Sequence, residues 1–179
     1  MALDDAFDYF RAYDKSSFTV VACQGSEPSE GDVADFERRV GFRLPEEFRE
    51  FTKSPLGGLY MEVREEVWPR AKEFEVGPFW SFLYGLKVFG IAVGIPSWLD
   101  IRAQFESFSA DGGSGLVPFL QIVGDADRWC FDSAGGIVLW RHDDDERELE
   151  SLTFSELLMR EIGELARRKE RKVRHEDRG

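Results

Sequence analysis

Residues 35–63 read DFERRVGFRLPEEFREFTKSPLGGLYMEV, and the changes of periodicity inside them decide the fold. With Val33 just upstream, the three-and-four spacing of Val33, Phe36 and Val40 puts an apolar stripe along one side of a helix. Asp32 stands where a side chain caps that helix, and Gly41 where a left-handed residue closes it. Pro45 then takes a first-turn position, where its missing N–H costs nothing. Glu46 and Glu47 favour the positive end of the helix dipole while Phe48 and Phe51 turn inward, which gives a second short helix. Ser54, Pro55, Gly57 and Gly58 end it. Beyond the glycines the period drops to two, with Leu59, Met61 and Val63 alternating against Tyr60, Glu62 and Arg64, and a strand begins.

Working outward, Phe7, Phe10 and Tyr13 share one side of a short helix, followed by a strand at Phe18–Cys23 and a loop at Gln24–Gly31. Downstream, the aromatic run Phe74, Phe79, Trp80, Phe82 and Tyr84 is punctuated by Gly77, Pro78 and Gly85, which predicts irregular backbone before a strand at Lys87–Val93. Phe79, Trp80, Phe82 and Tyr84 are expected in the core, with exposure as interface anchors the alternative. Ser97 with Asp100 resembles a capping box, and Trp98, Ile101, Phe105 and Phe108 form the stripe of a third helix. Three apolar segments, Leu116–Val123, Arg128–Phe131 and Ile137–Arg141, are separated by turn chemistry and predict an antiparallel meander, with Pro118 at an edge or bulge. Asp143–Glu150 reads as a charged loop. Thr153 and Glu156 form a capping box for a long final helix carrying Phe154, Leu157, Leu158, Ile162 and Leu165, with Glu156/Arg160 and Glu164/Arg168 pairs on its exposed side. The order of elements is that of an α+β fold: a mostly antiparallel sheet with helices packed around it, an N-terminal helix pair and a long C-terminal helix.

A chain of 179 residues fits about one domain at ~150 residues each. At 42% hydrophobic and 14% aromatic residues it is too apolar for disorder. The net charge is −12, which disfavours direct contact with nucleic acid or anionic membrane and favours a basic protein partner. The balance is uneven: residues 167–179 (RRKERKVRHEDRG) hold seven basic and three acidic side chains, net +4, leaving −16 on residues 1–166. We therefore expect one domain over 1–166, with 167–179 a basic helix extension or flexible tail. Asp4, Asp5 and Asp8 occupy the place where a secretion signal needs positive charge, and Cys23 and Cys130 form no metal-binding or disulfide pattern, so a cytoplasmic protein is expected.

The stretch quoted above resembles the opening of the SUKH superfamily, in its Smi/Knr branch. The resemblance rests on Glu37, Gly41, Leu44, Pro45, Phe48, Phe51, Gly57 and Gly58. It continues in VPFLQIVGDADRWCFD through Gly124, Asp125, Phe131 and Asp132, and in SLTFSELL, covering about residues 32–158. It implies a SUKH-like fold without catalytic apparatus, cofactor or metal. Bacterial members are typically immunity proteins that bind a cognate toxin of polymorphic or contact-dependent systems, many of the toxins being nucleases. Fungal relatives are regulatory or scaffold proteins of cell-wall signalling. An acidic protein that occupies the phosphate-binding surface of a basic nuclease fits the charge.

Chemistry-bearing residues point the same way. Glu46/Glu47 and Glu65/Glu66 read as helix-start or solvated side chains. Asp125, Asp127 and Asp132 have the spacing of turn residues; a metal site there, or a hydrolase using Asp125, Asp127 and His142, lacks further donors. Ser114 in DGGSG misses the spacing of a nucleophile elbow. The best partner-binding candidates are Asp143, Asp144, Asp145, Glu146, Glu148 and Glu150, with Trp80 and Tyr84 as apolar anchors. The expected partner is a basic toxin domain, met by a monomer or weak dimer.

Overall fold

The computed structural model of the chain describes residues 3–72 and 74–176. In chain order it forms α1 (Leu3–Ala12), β1 (Phe18–Val21), α2 (Glu30–Val40), α3 (Glu46–Thr52), β2 (Leu59–Val63), a 3-10 turn at Phe79–Phe82, β3 (Gly85–Val88), α4 (Ile101–Ala110), β4 (Val117–Ile122), β5 (Arg128–Phe131), β6 (Ile137–Trp140), β7 (Arg147–Glu150) and α5 (Phe154–Glu176). The strands form one antiparallel sheet in sequence order, β1 to β7. This is the expected α+β architecture, long C-terminal helix included.

Strand periodicity sorts the core onto the two faces of the sheet. Phe131 of β5 and Ile137 of β6 join the large cluster with Phe48 and Phe51 of α3 and Phe154, Leu157 and Leu158 of α5. Their neighbours Cys130, Val138 and Trp140 point to the opposite face and join Phe108 of α4 and Leu116. On the first face Phe119 and Phe131 stack with centroids 4.0 Å apart, and Phe48 meets Phe131 at 5.1 Å and Phe154 at 5.2 Å. Each such ring contributes about 2 kcal/mol or more by leaving water.

The 35–63 stretch owes its shape to a buried cation. Arg49, on α3, is almost wholly buried. It pairs with Glu37 of α2, with Glu30 and with Glu46. The Glu37 carboxylate also accepts the Leu44 backbone N–H at 2.8 Å, so one side chain fixes both the turn between the helices and the cation beneath it. After α3 the backbones themselves touch. A Cβ on Gly57 would stand 2.2 Å from the Thr52 carbonyl oxygen, and one on Gly90 would stand 2.3 Å from the Gly58 nitrogen. Only hydrogen fits there.

Several boundaries differ from the sequence reading. The cap of α2 is Ser29, whose hydroxyl accepts the Asp32 N–H while the Asp32 carboxylate accepts the Ser29 N–H, so Asp32 is the third helical residue of a capping box. Pro45 is likewise the residue before α3. The third helix is capped by Asp100, which accepts the Arg102 N–H, and Trp98 lies ahead of it in a turn, edge-on to Tyr60. The predicted 87–93 strand is shorter because Gly90 leaves the ladder: its N–H donates to Leu99 and its carbonyl accepts from Ile101. Phe119 bonds Phe89 of β3, so the backbone of Pro118 turns toward β5, where the expected bulge interrupts the ladder and the missing N–H is tolerated. The charged loop is partly strand, since Arg147–Glu150 pair with Ile137–Trp140. Arg160 and Arg168 do not pair four residues back: Arg160 reaches Glu150 and Glu161, and the Arg168 Nε donates to the Leu83 carbonyl. The basic stretch continues α5 to Glu176, and the remainder of the 167–179 segment lies outside the described residues.

Candidate partner-binding surface

The β6–β7 hairpin carries the acidic candidates. Its base is tied by Asp127, whose carboxylate accepts Arg141 Nη1 and the His142 backbone N–H, both at 3.0 Å. Arg141 also donates to Glu148 at 2.9 Å. Glu148 first, and then Asp127, raise the Arg141 guanidinium above its ordinary value. At the tip Asp145 adopts a positive φ of 50° and accepts the Trp140 indole N–H at 2.6 Å. Glu150 is held by Arg160, which lowers its carboxyl below the usual range.

Three of the six carboxylates, those of Asp145, Glu148 and Glu150, thus have internal partners. The side chains of Asp143, Asp144 and Glu146 are exposed, and their carboxylates have no hydrogen bond or ion pair among the described residues. The hairpin holds their negative charge at the outer end of the sheet, where it meets solvent. The backbone of β7 is also open. Because the Arg141 N–H bonds the Glu146 carbonyl, the alternation places the N–H and C=O of Arg147 and Leu149 on the outer side. Leu149, which sequence reading passed over, is 83% exposed on this edge.

Trp80 and Tyr84 lie elsewhere. They precede β3, and four strand spacings separate β3 from β7, about 19 Å across the sheet. Tyr84 is half-buried beneath the Arg70 guanidinium, 3.7 Å from its ring centre. Trp80 and Phe79, expected in the core, are exposed, as are Phe74 and Val76. The reason is local: the chain here is anchored by Trp68, buried, with its indole N–H donated to the Ser81 carbonyl. One tryptophan anchors the segment and leaves its neighbours outside.

The positions of the resemblance are structural in character. Gly41 closes α2 at φ 88°, Phe48 and Phe131 fill the core, and Gly124 turns at φ 81° against Phe82. Asp125 accepts the Asp127 N–H, and Asp132 accepts the N–H groups of Ala134 and Gly136. These aspartates are occupied by their own turns. Among the described residues no group of three or more His, Cys, Asp or Glu side chains is arranged to hold a metal ion. His142 is exposed, edge-on to Trp140 at 5.6 Å. Burial pushes the thiols of Cys130 and Cys23 up, so neither is an activated nucleophile. No described helix is long and apolar enough to cross a membrane.

Residues 27–160 match the sequence model of the SMI1 / KNR4 family (SUKH-1). No curated protein matches the chain. The matched span takes in the buried Arg49, the glycine contacts and the acidic hairpin; α1, β1 and the basic part of α5 lie outside it.

Proposed function

The chain belongs to the SMI1 / KNR4 family (SUKH-1), and from that premise we propose that it acts by stoichiometric binding, as an immunity protein that occludes a basic toxin domain in the cytoplasm. Residues 1–166 act as one domain in this reading. The observation that carries it is the hairpin: Asp143, Asp144 and Glu146 expose negative charge that no described residue neutralises, on a turn made rigid by Asp127, Arg141 and Glu148. Rim charge of this kind speeds the encounter with a basic surface, and apolar contact at Leu149 slows release.

Trp80 and Tyr84 take no part in the same contact unless the partner spans both ends of the sheet. Co-expression of the chain with the toxin domain encoded beside its gene tests the proposal. Growth is restored by the wild type and lost on Asp143→Lys/Asp144→Lys/Glu146→Lys. Growth that stays poisoned with wild-type protein present, or a neighbouring gene encoding no toxin, contradicts it. The competing reading, a regulatory scaffold for endogenous proteins, draws support from the exposed aromatic segment around Trp80, and a pulldown dominated by host enzymes favours it.

A further inference from the structure

A second surface lies where the aromatic segment meets the basic end of α5. Trp68, Trp80, Leu83, Arg168, Arg171 and Lys172 line a cleft of about 410 Å³, within the ~300–1,000 Å³ of ordinary ligand sites. Its apolar part is formed from the buried Trp68, the 67% exposed Trp80 and Leu83. The same stretch of chain also exposes Phe74, at 94%, and Val76, at 98%.

The cations stand on one side of α5, spaced three and four apart. The Arg168 Nε is spent on the Leu83 carbonyl, and its Nη2 is buried without an acceptor. Arg171 is exposed and has no ion-pair partner among the described residues. Of the neighbouring acids, Glu164 pairs with Arg167 and Glu161 with Arg160, while Asp125 accepts within its own turn; all three also attract Arg168 without bonding it. Desolvation holds the Arg168 guanidinium below its ordinary value against the attraction of Glu161 and Glu164, and repulsion from Arg171 adds to it. The exposed Arg171, with no ion-pair partner among the described residues, next to an Arg168 whose Nη2 lacks an acceptor, leaves a place for an anion at the mouth of the cleft.

We infer that this cleft is a docking site for an acidic peptide segment carrying a large apolar side chain, its carboxylates on Arg168 and Arg171 and its apolar group between Trp80 and Leu83. Charge complementarity decides the occupant. A long polyanion such as nucleic acid, or an anionic membrane, extends beyond the cleft and meets the −16 of the preceding 166 residues. A short peptide brings fewer charges near that acidic body, and at physiological salt those farther than about 8 Å from it are screened. The site differs in place and in sign from the acidic hairpin, so one chain can hold a basic partner and an acidic one together.

The test is a two-dimensional nuclear magnetic resonance titration of the full chain. The probe is an octapeptide of six glutamates around a central Leu-Trp pair. It shifts the Trp80 indole signal saturably with Kd below about 1 mM. Arg171→Glu weakens it at least tenfold, and Asp143→Lys changes it less than twofold. The exposed Arg171 has no internal partner to lose, so the variant keeps its fold, checked by circular dichroism. No shift of Trp80 at millimolar peptide, an equal response in Arg171→Glu, or tighter binding at Trp80 by oligothymidylate or phosphatidylserine vesicles overturns the inference. So does a Trp80 shift that follows protein concentration alone, which marks the cleft as a contact between two copies.

Discussion

Replacing Arg49 by Leu is the most informative perturbation of the scaffold. The Arg49 side chain is 6% exposed and its partner Glu37 13%, whereas Glu30 and Glu46 are 60% and 59% exposed. The latter two turn to water at a cost of ~0–1 kcal/mol together. Glu37 has no such escape, and a buried carboxylate left without its cation costs about 3–5 kcal/mol. Leu44 still donates to it, which puts the net loss near the lower end, about 3 kcal/mol. With a urea slope of about 2 kcal/mol per molar, the unfolding midpoint falls by about 1.5 M at unchanged slope. Glu37→Leu costs less, about 1–2 kcal/mol, because Arg49 keeps Glu30 and Glu46 while the Leu44 N–H loses its acceptor. The double variant is more stable than the two losses combined predict, by about 1.5 kcal/mol, since it removes both charges at once. Strictly additive single losses, or an Arg49→Leu loss below about 1 kcal/mol, refute the reasoning.

Other outcomes follow from single contacts. Gly57→Ala drives a methyl into the Thr52 carbonyl, 2.2 Å from the Cβ position, and lowers stability by about 3 kcal/mol, read by thermal or urea unfolding. The Asp32 carboxyl is held below its ordinary 3.8, chiefly by the Ser29 hydroxyl and then by the Ser29 N–H. Its folded value is the lower one, so its stabilisation is complete above the ordinary value and fades as pH falls through the folded value. The stability gap between wild type and Asp32→Asn therefore closes at acid pH, measured by urea midpoints across a pH series. At mildly alkaline pH a disulfide reagent labels Cys130 only as the protein unfolds, because burial pushes its thiol up; labelling at the rate of a free thiol contradicts that.

What the sequence made legible was local. The alternation of Leu59, Met61 and Val63, the helix stripe through Val33, Phe36 and Val40, and the cap at Gly41 each depend on neighbours a few residues away, and each is found in place. Ser29 with Asp32 has the spacing of a capping box, but Ser29 falls inside the Gln24–Gly31 stretch that reads as a loop. Two features depend on distant partners and left little trace. Arg49 sits among acidic residues like any exposed helix cation, and its burial arises only when α2 folds over α3. The extended backbone of Arg147–Glu150 has weak strand propensity and exists because β6 offers it a ladder. At the surface, composition marked the acidic stretch only as a charged loop, and the separation of Trp80 from it depends on how many strands lie between. The exposure of Trp80 has a similar origin: Trp68, twelve residues earlier in the chain, holds the anchoring position.

The claim that the chain works by binding through its acidic hairpin is tested most directly by association kinetics against the toxin domain encoded beside its gene. Wild-type protein is compared with Asp143→Lys/Asp144→Lys/Glu146→Lys at low and physiological salt. Binding through the hairpin predicts an association rate at least ~10-fold slower in the triple variant, with most of the difference removed by salt, and stability within about 0.5 kcal/mol of wild type. Equal association rates for the two proteins at both salt concentrations contradict it.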